Sequence, residues 1–90
     1  VELKKKLIIG NEFGLHARAA AKIVALSKGY ESKLFLSKDG HEVDGASILS
    51  ILTLACPKGT EIEARIVGED SKELMTELTA LFEDRFDEGK

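Results

Sequence analysis

Gly10-Asn11-Glu12-Phe13-Gly14-Leu15-His16-Ala17-Arg18-Ala19-Ala20-Ala21-Lys22-Ile23-Val24 is the stretch around which the chain is organised. Its first part reads as a loop, with Gly10, Asn11 and Gly14 supplying backbone freedom. From Ala17 the residues are good helix formers, and Ala20, Ile23, Val24 and Ser27 recur at the spacing of one helix face. Gly29 is a natural stop. The pattern therefore delivers His16 to the helix N-terminus, at or beside the capping position, over N–H groups that lack intrahelical partners.

A helix N-terminus concentrates partial positive charge and free donors, which suits a phosphate or another anion. Arg18 adds a formal charge. A neutral imidazole at this place keeps one ring lone pair that can act as a nucleophile. Once phosphorylated, the ring would carry negative charge towards the donors and the guanidinium. The stretch reads as a phosphoryl-acceptor site. A lone histidine near a helix start is more often a weak cap or a loop residue, and spacing alone does not separate the two readings.

To the left, Leu3, Leu7 and Ile9 lie on one side of an imperfect alternation, with the lysines and Ile8 on the other, so Val1 to Ile9 suits a strand with one solvated face. To the right, Ser32 to Leu36 and His41 to Val43 are short strand-like pieces around Lys38-Asp39-Gly40, and Asp-Gly is a strong hairpin signal. His41 reads as a polar residue at a strand edge, because no cysteine or carboxylate cluster with metal-ligand spacing accompanies it. No metal or other cofactor is expected.

Asp44 to Ala55 is the second informative segment. Ser47 is placed to cap a helix that starts at Ile48, with Asp44 and Gly45 shaping the approach. Ile48, Leu49, Ile51, Leu52, Leu54 and Ala55 then occupy most of the circumference of about two helical turns. One stripe must face the sheet, so the rest either lie buried or form an exposed apolar patch suited to docking. Cys56-Pro57-Lys58-Gly59 ends the helix and turns the chain, Cys56 reading as a small apolar filler. Thr60 to Val67 alternates cleanly, Ile62, Ala64 and Ile66 inward and Glu61, Glu63 and Arg65 outward. Asp70 with Glu73 imitates a capping box, Leu74, Leu78, Leu81 and Phe82 form the stripe of a long amphipathic helix, and the charged tail after Phe86 is expected to fray.

With 90 residues, one domain spanning 1–90 is expected. Thirteen Lys and Arg against 16 Asp and Glu give a net charge of −3, interspersed along the chain and unlike the basic footprint of a nucleic-acid binder. The single cysteine makes no internal disulfide, and neither a signal-peptide pattern nor an apolar run of spanning length is present, so a cytoplasmic protein without membrane insertion is expected. The element order is strand, helix, two strands, helix, strand, helix. One-faced strands and one-striped helices call for two layers, an α+β open-faced β-sandwich with the helices on one side. The pattern leaves the strand order open.

Gly14-Leu15-His16-Ala17-Arg18 followed by Ala20-Ala21 resembles the active-site signature of HPr, the histidine phosphocarrier family of the bacterial phosphotransferase system. Asp44-Gly45-Ala46-Ser47-Ile48-Leu49-Ser50-Ile51-Leu52-Thr53-Leu54 and Lys58-Gly59-Thr60-Glu61-Ile62 resemble the family's regulatory-serine segment and the turn into its last strand. The likeness runs from about Leu3 to about Phe82. One position departs, since the family usually has proline after the arginine where this chain has Ala19. Proline there fixes φ, whereas alanine leaves the turn helical but less rigid and adds an N–H.

The resemblance implies a βαββαβα fold with a four-stranded antiparallel sheet ordered 1-4-2-3 and three helices on one face. It implies that phosphorylated enzyme I donates a phosphoryl group to His16, at Nδ1 in this family, and that the group passes to enzyme IIA domains. Arg18 would steer the group and offset its charge while the N–H groups of Ala17 and Arg18 hold its oxygens. Ala17, Ala21, Ile48, Leu49 and Leu52 would face the partners. Ser47 lies at the serine phosphorylated by the HPr serine kinase/phosphorylase, which would connect the chain to a transcriptional regulator. Two other readings stay open: a regulatory protein of carbon or nitrogen control acting mainly through Ser47, and an unrelated ligand- or RNA-binding sandwich. The acidic balance and the few aromatics disfavour the latter, and no base paired with His16 is visible that would make a self-contained hydrolase.

Overall fold

The computed structural model describes residues 1–88. Glu2–Ile8 forms β1, Ala17–Ser27 α1, Lys33–Lys38 β2, His41–Asp44 β3, Ile48–Leu52 α2, Glu61–Val67 β4 and Ser71–Glu83 α3. The strands pair antiparallel in the order β1-β4-β2-β3. Central β4 meets β1 from Glu2 opposite Val67 to Ile8 opposite Glu61, and β2 from Lys33 opposite Val67 to Ser37 opposite Glu63. The β2–β3 hairpin closes with Lys38 opposite His41, and Asp39 and Gly40 take φ of 52° and 84°, the left-handed pair that a two-residue turn requires.

Alternation in β4 decides the layers. Ile62, Ala64 and Ile66 are buried with Leu7, Leu34 and Leu36 beneath the helices. On the opposite face Arg65 binds Glu42 at 2.8 Å and Glu2 at 3.0 Å and lies 4.3 Å from the centre of the Phe35 ring. From above, α1 buries Ala19, Ala20, Ile23 and Val24, α3 buries Leu74, Met75, Leu78 and Phe82, and α2 buries only Ile51. Burying one such Leu or Ile contributes about 1.5–3 kcal/mol, so the sheet–helix interface carries the fold. Leu81 is only partly buried, at the border of the stripe.

Two expectations are corrected. Asp70 is the N-cap of α3 but makes no capping bond. Its carboxylate instead accepts the Glu31 and Ser32 N–H groups, each at 2.8 Å, and the Ser32 hydroxyl, tying the loop between α1 and β2 to the start of α3. Three donors converging from another loop outweigh a single bond within the helix. The second correction concerns the tail. Phe86 is buried and packs edge-on against Phe82 with ring centroids 4.9 Å apart, and residues 87 and 88 are held by bonds to the body of the protein. The last two residues of the tail lie outside the described residues.

Candidate functional site

The histidine loop is seated on the turn that follows α2. Gly14 has φ of +69°, and a Cβ there would come within 2.5 Å of the Cys56 carbonyl oxygen and 2.9 Å of Pro57 Cα. Only glycine allows that approach. The neighbouring Leu15 N–H then donates to the same Cys56 carbonyl at 2.8 Å and the Leu15 side chain enters the core. Buried Asn11 closes the loop from inside, its Nδ2 donating to the Gly14 carbonyl at 2.6 Å.

With the loop so held, His16 is the N-cap of α1 in extended conformation. Its Nδ1 accepts the Arg18 N–H at 3.1 Å, one of the first-turn donors that the helix itself leaves without a partner. On the opposite edge of the ring, Nε2 lies 2.7 Å from Glu88 Oε2. The Glu88 carboxylate also accepts the Phe13 N–H at 2.9 Å and Asn11 Nδ2 at 3.0 Å. Burial alone would push this carboxyl up, but the bonds from His16, Phe13 and Asn11 prevail and hold it down to about 2.

Glu88 reaches the ring because the chain reverses sharply after α3. Arg85, Phe86 and Asp87 have φ of 52°, 54° and 62°. Each left-handed non-glycine residue costs about 1–2 kcal/mol. Burial of Phe86 offsets that cost, together with Lys22 Nζ, which donates to the Phe86 carbonyl at 2.7 Å and lies 3.6 Å from Asp87.

Phe13, His16, Arg18 and Glu88 line a depression of about 420 Å³. His16 keeps 30% of its side chain exposed there, and Phe13, 75% exposed, stands edge-on to the imidazole with centroids 6.1 Å apart. Arg18 is exposed at the rim, Ala17 and Ala21, one turn apart on α1, are exposed but do not line the depression, and Ala19 is completely buried. Ser47, Ile48, Leu49 and Leu52 do not line the depression. Ser47 caps α2 by accepting the Ser50 N–H at 3.2 Å. Next to it Leu49 is 78% exposed, Ile48 is exposed, and Leu52 packs partly into the core. His41 is exposed on the edge strand β3, and Cys56 is buried, which pushes its thiol up.

Reading the sequence missed Asn11, Phe13 and Glu88 as parts of this site. Glu88 had a signal nearby: Phe86 is a large aromatic in a charged tail, and such a residue seeks a core. Its direction of attachment was not readable, because it depends on three left-handed residues that no local motif announces.

The family described as "PTS HPr component phosphorylation site" matches residues 3–84. The phosphocarrier protein HPr of Xylella fastidiosa is 45% identical over 86 residues, 96% of this chain and 97% of that protein. The phosphocarrier protein NPr of Escherichia coli is 34% identical over 87 residues, again 96% of this chain and 97% of that one. Among solved structures, HPr of Thermoanaerobacter tengcongensis superimposes with a TM-score of 0.92 at 31% identity, covering 98% of this chain and 99% of that one.

Proposed function

The chain belongs to the HPr family of phosphocarrier proteins of the phosphotransferase system, and on that premise we propose that His16 is its phosphoryl acceptor, charged by phosphorylated enzyme I and discharged to an enzyme IIA domain. The observation that carries the reading is the pose of His16, whose Nδ1 points at the first-turn N–H of Arg18 in an accessible depression. In the transfer, the Nδ1 lone pair attacks phosphorus as the bond to the donor nitrogen breaks. The phosphoryl oxygens then take over the Arg18 N–H, joined by that of Ala17, and the exposed Arg18 guanidinium offsets their charge. Positioning and electrostatics of this kind are what phosphoryl transfer chiefly needs.

A carrier must dock with several partners and release each. Ala17 and Ala21 on α1, with Ile48, Leu49 and Leu52 on α2, provide the apolar docking surface in this reading, and the exposure of Leu49 and Ile48 supports it. The test is incubation of the purified chain with phosphoenolpyruvate, Mg²⁺ and enzyme I, read by intact mass and acid lability beside His16→Ala. An acid-labile phosphate on the parent chain alone is the expected result. Its absence with a competent enzyme I overturns the relay.

A second reading makes Ser47 the functional centre, phosphorylated by the HPr serine kinase/phosphorylase and presented to a transcriptional regulator. It is favoured by a hydroxyl at the start of α2 flanked by Ile48 and Leu49, both solvent-exposed. A phosphate there would alter the charge beside the apolar surface. Labelling of Ser47 by the kinase and ATP, with none of His16 by enzyme I, would select this reading.

A further inference from the structure

Both ring nitrogens of His16 have a partner, and the two partners demand the same protonation. Nδ1 faces the Arg18 N–H at 3.1 Å, a group with no lone pair to offer, so Nδ1 must be the acceptor. Nε2 faces a carboxylate oxygen at 2.7 Å, so Nε2 must carry the proton. The carboxylate is itself fixed by the Phe13 N–H at 2.9 Å and Asn11 Nδ2 at 3.0 Å, and the chain that bears it is anchored by buried Phe86. Those further donors also keep it ionised.

We propose that Glu88 is a positioning residue for phosphoryl transfer: its carboxylate holds the proton on Nε2, so that the lone pair on Nδ1 is free to attack and the ring is turned to deliver it. The inference rests on the reading of His16 as the acceptor. When Nδ1 bonds to phosphorus, the electron pair of the breaking bond leaves with the donor, and the ring, still protonated at Nε2, becomes positive. Glu88 stabilises that charge as it forms. On onward transfer the Nδ1–phosphorus bond breaks, its electron pair returns to Nδ1, and a neutral ring with its proton on Nε2 is restored. The carboxylate neither gains nor loses a proton in the cycle. It acts as the orienting acid does behind a catalytic histidine.

The experiment compares the full chain with Glu88→Ala and Glu88→Gln, each checked for folding by thermal melting. Ring ¹⁵N shifts of His16 in the unphosphorylated proteins, recorded where the ring is neutral, report the tautomer without any transfer reaction. The rate of phosphorylation by phospho-enzyme I is measured in parallel. The parent should show a protonated Nε2 and a bare Nδ1. Glu88→Ala should mix the tautomers and lower kcat/KM about 10-fold to 100-fold, the range seen for carboxylates that orient metal-bound histidines. Glu88→Gln should keep more of the Nε2–H form than Glu88→Ala and still transfer more slowly than the parent, because its amide oxygen accepts the proton's bond without supplying charge. An unchanged tautomer and unchanged rate in Glu88→Ala would overturn the positioning role while leaving the carrier intact. A parent chain that takes no phosphate at all would overturn the carrier reading and this one with it, and the separate tautomer measurement tells the two failures apart.

Discussion

Lys22 on α1 donates from Nζ to the carbonyl of Phe86 at 2.7 Å, 64 residues away in sequence. That bond clamps the left-handed turn against α1, the helix that His16 caps, while the Phe86 ring packs on Phe82 at the end of α3. The histidine and the carboxylate that touches it are therefore held by the same helix. Phe86→Ala should lower the unfolding free energy by about 3 kcal/mol, the low end for truncating a buried aromatic. Lys22→Ala should cost less in urea unfolding while increasing amide exchange at Glu88.

Gly14 and Gly40 make a matched pair. Both have positive φ, +69° and +84°, but a Cβ at Gly14 meets the Cys56 carbonyl whereas one at Gly40 meets nothing within 4 Å. Gly40→Ala should cost about 1 kcal/mol of backbone strain, and Gly14→Ala should reach about 3 kcal/mol and displace the histidine loop. Parallel chemical denaturation of the two variants measures the difference.

On α2, capping and exposure separate. Ser47→Ala removes the bond to the Ser50 N–H and should cost about 0.5–2 kcal/mol. Leu49→Ser, at a site 78% exposed, should change stability by less than about 0.5 kcal/mol. A raised KM for enzyme I in Leu49→Ser, with its thermal midpoint unmoved, is the outcome expected of a docking residue.

Acid should release the tail. Glu88 is held down to about 2 from an ordinary 4.5, so its folded state is the better anion. The stability it contributes is complete above about 4.5 and is lost as pH falls through about 2. Asp70 is lowered as well, by the Ser32 hydroxyl and the Glu31 N–H first, and adds acid sensitivity of the same sign. Acid titration followed by urea midpoints should therefore fall more gently for Glu88→Gln and Asp70→Asn than for the parent chain.

Much of this molecule is legible one segment at a time. The helix at Ala17, the Asp39-Gly40 turn and the caps at His16 and Ser47 rest on contacts within a few residues, and β4, though its contacts are distant, carries its alternation in a seven-residue run, which is the range over which a pattern can be read. Asp70 shows where such reading fails. The residue stands where a cap belongs, yet its carboxylate turns to Glu31 and Ser32, because the loop between α1 and β2 offers donors that are nearby only in space.

The same division runs through the site. That a histidine stands at the start of a helix with an arginine beside it follows from neighbouring residues alone, since glycine freedom, helix propensity and capping are local. Tertiary structure alone decided what lies on the other edge of that histidine. Glu88 arrives there through burial of Phe86, the clamp of Lys22 and a left-handed turn that is unfavourable in isolation and persists because the surrounding contacts outweigh it.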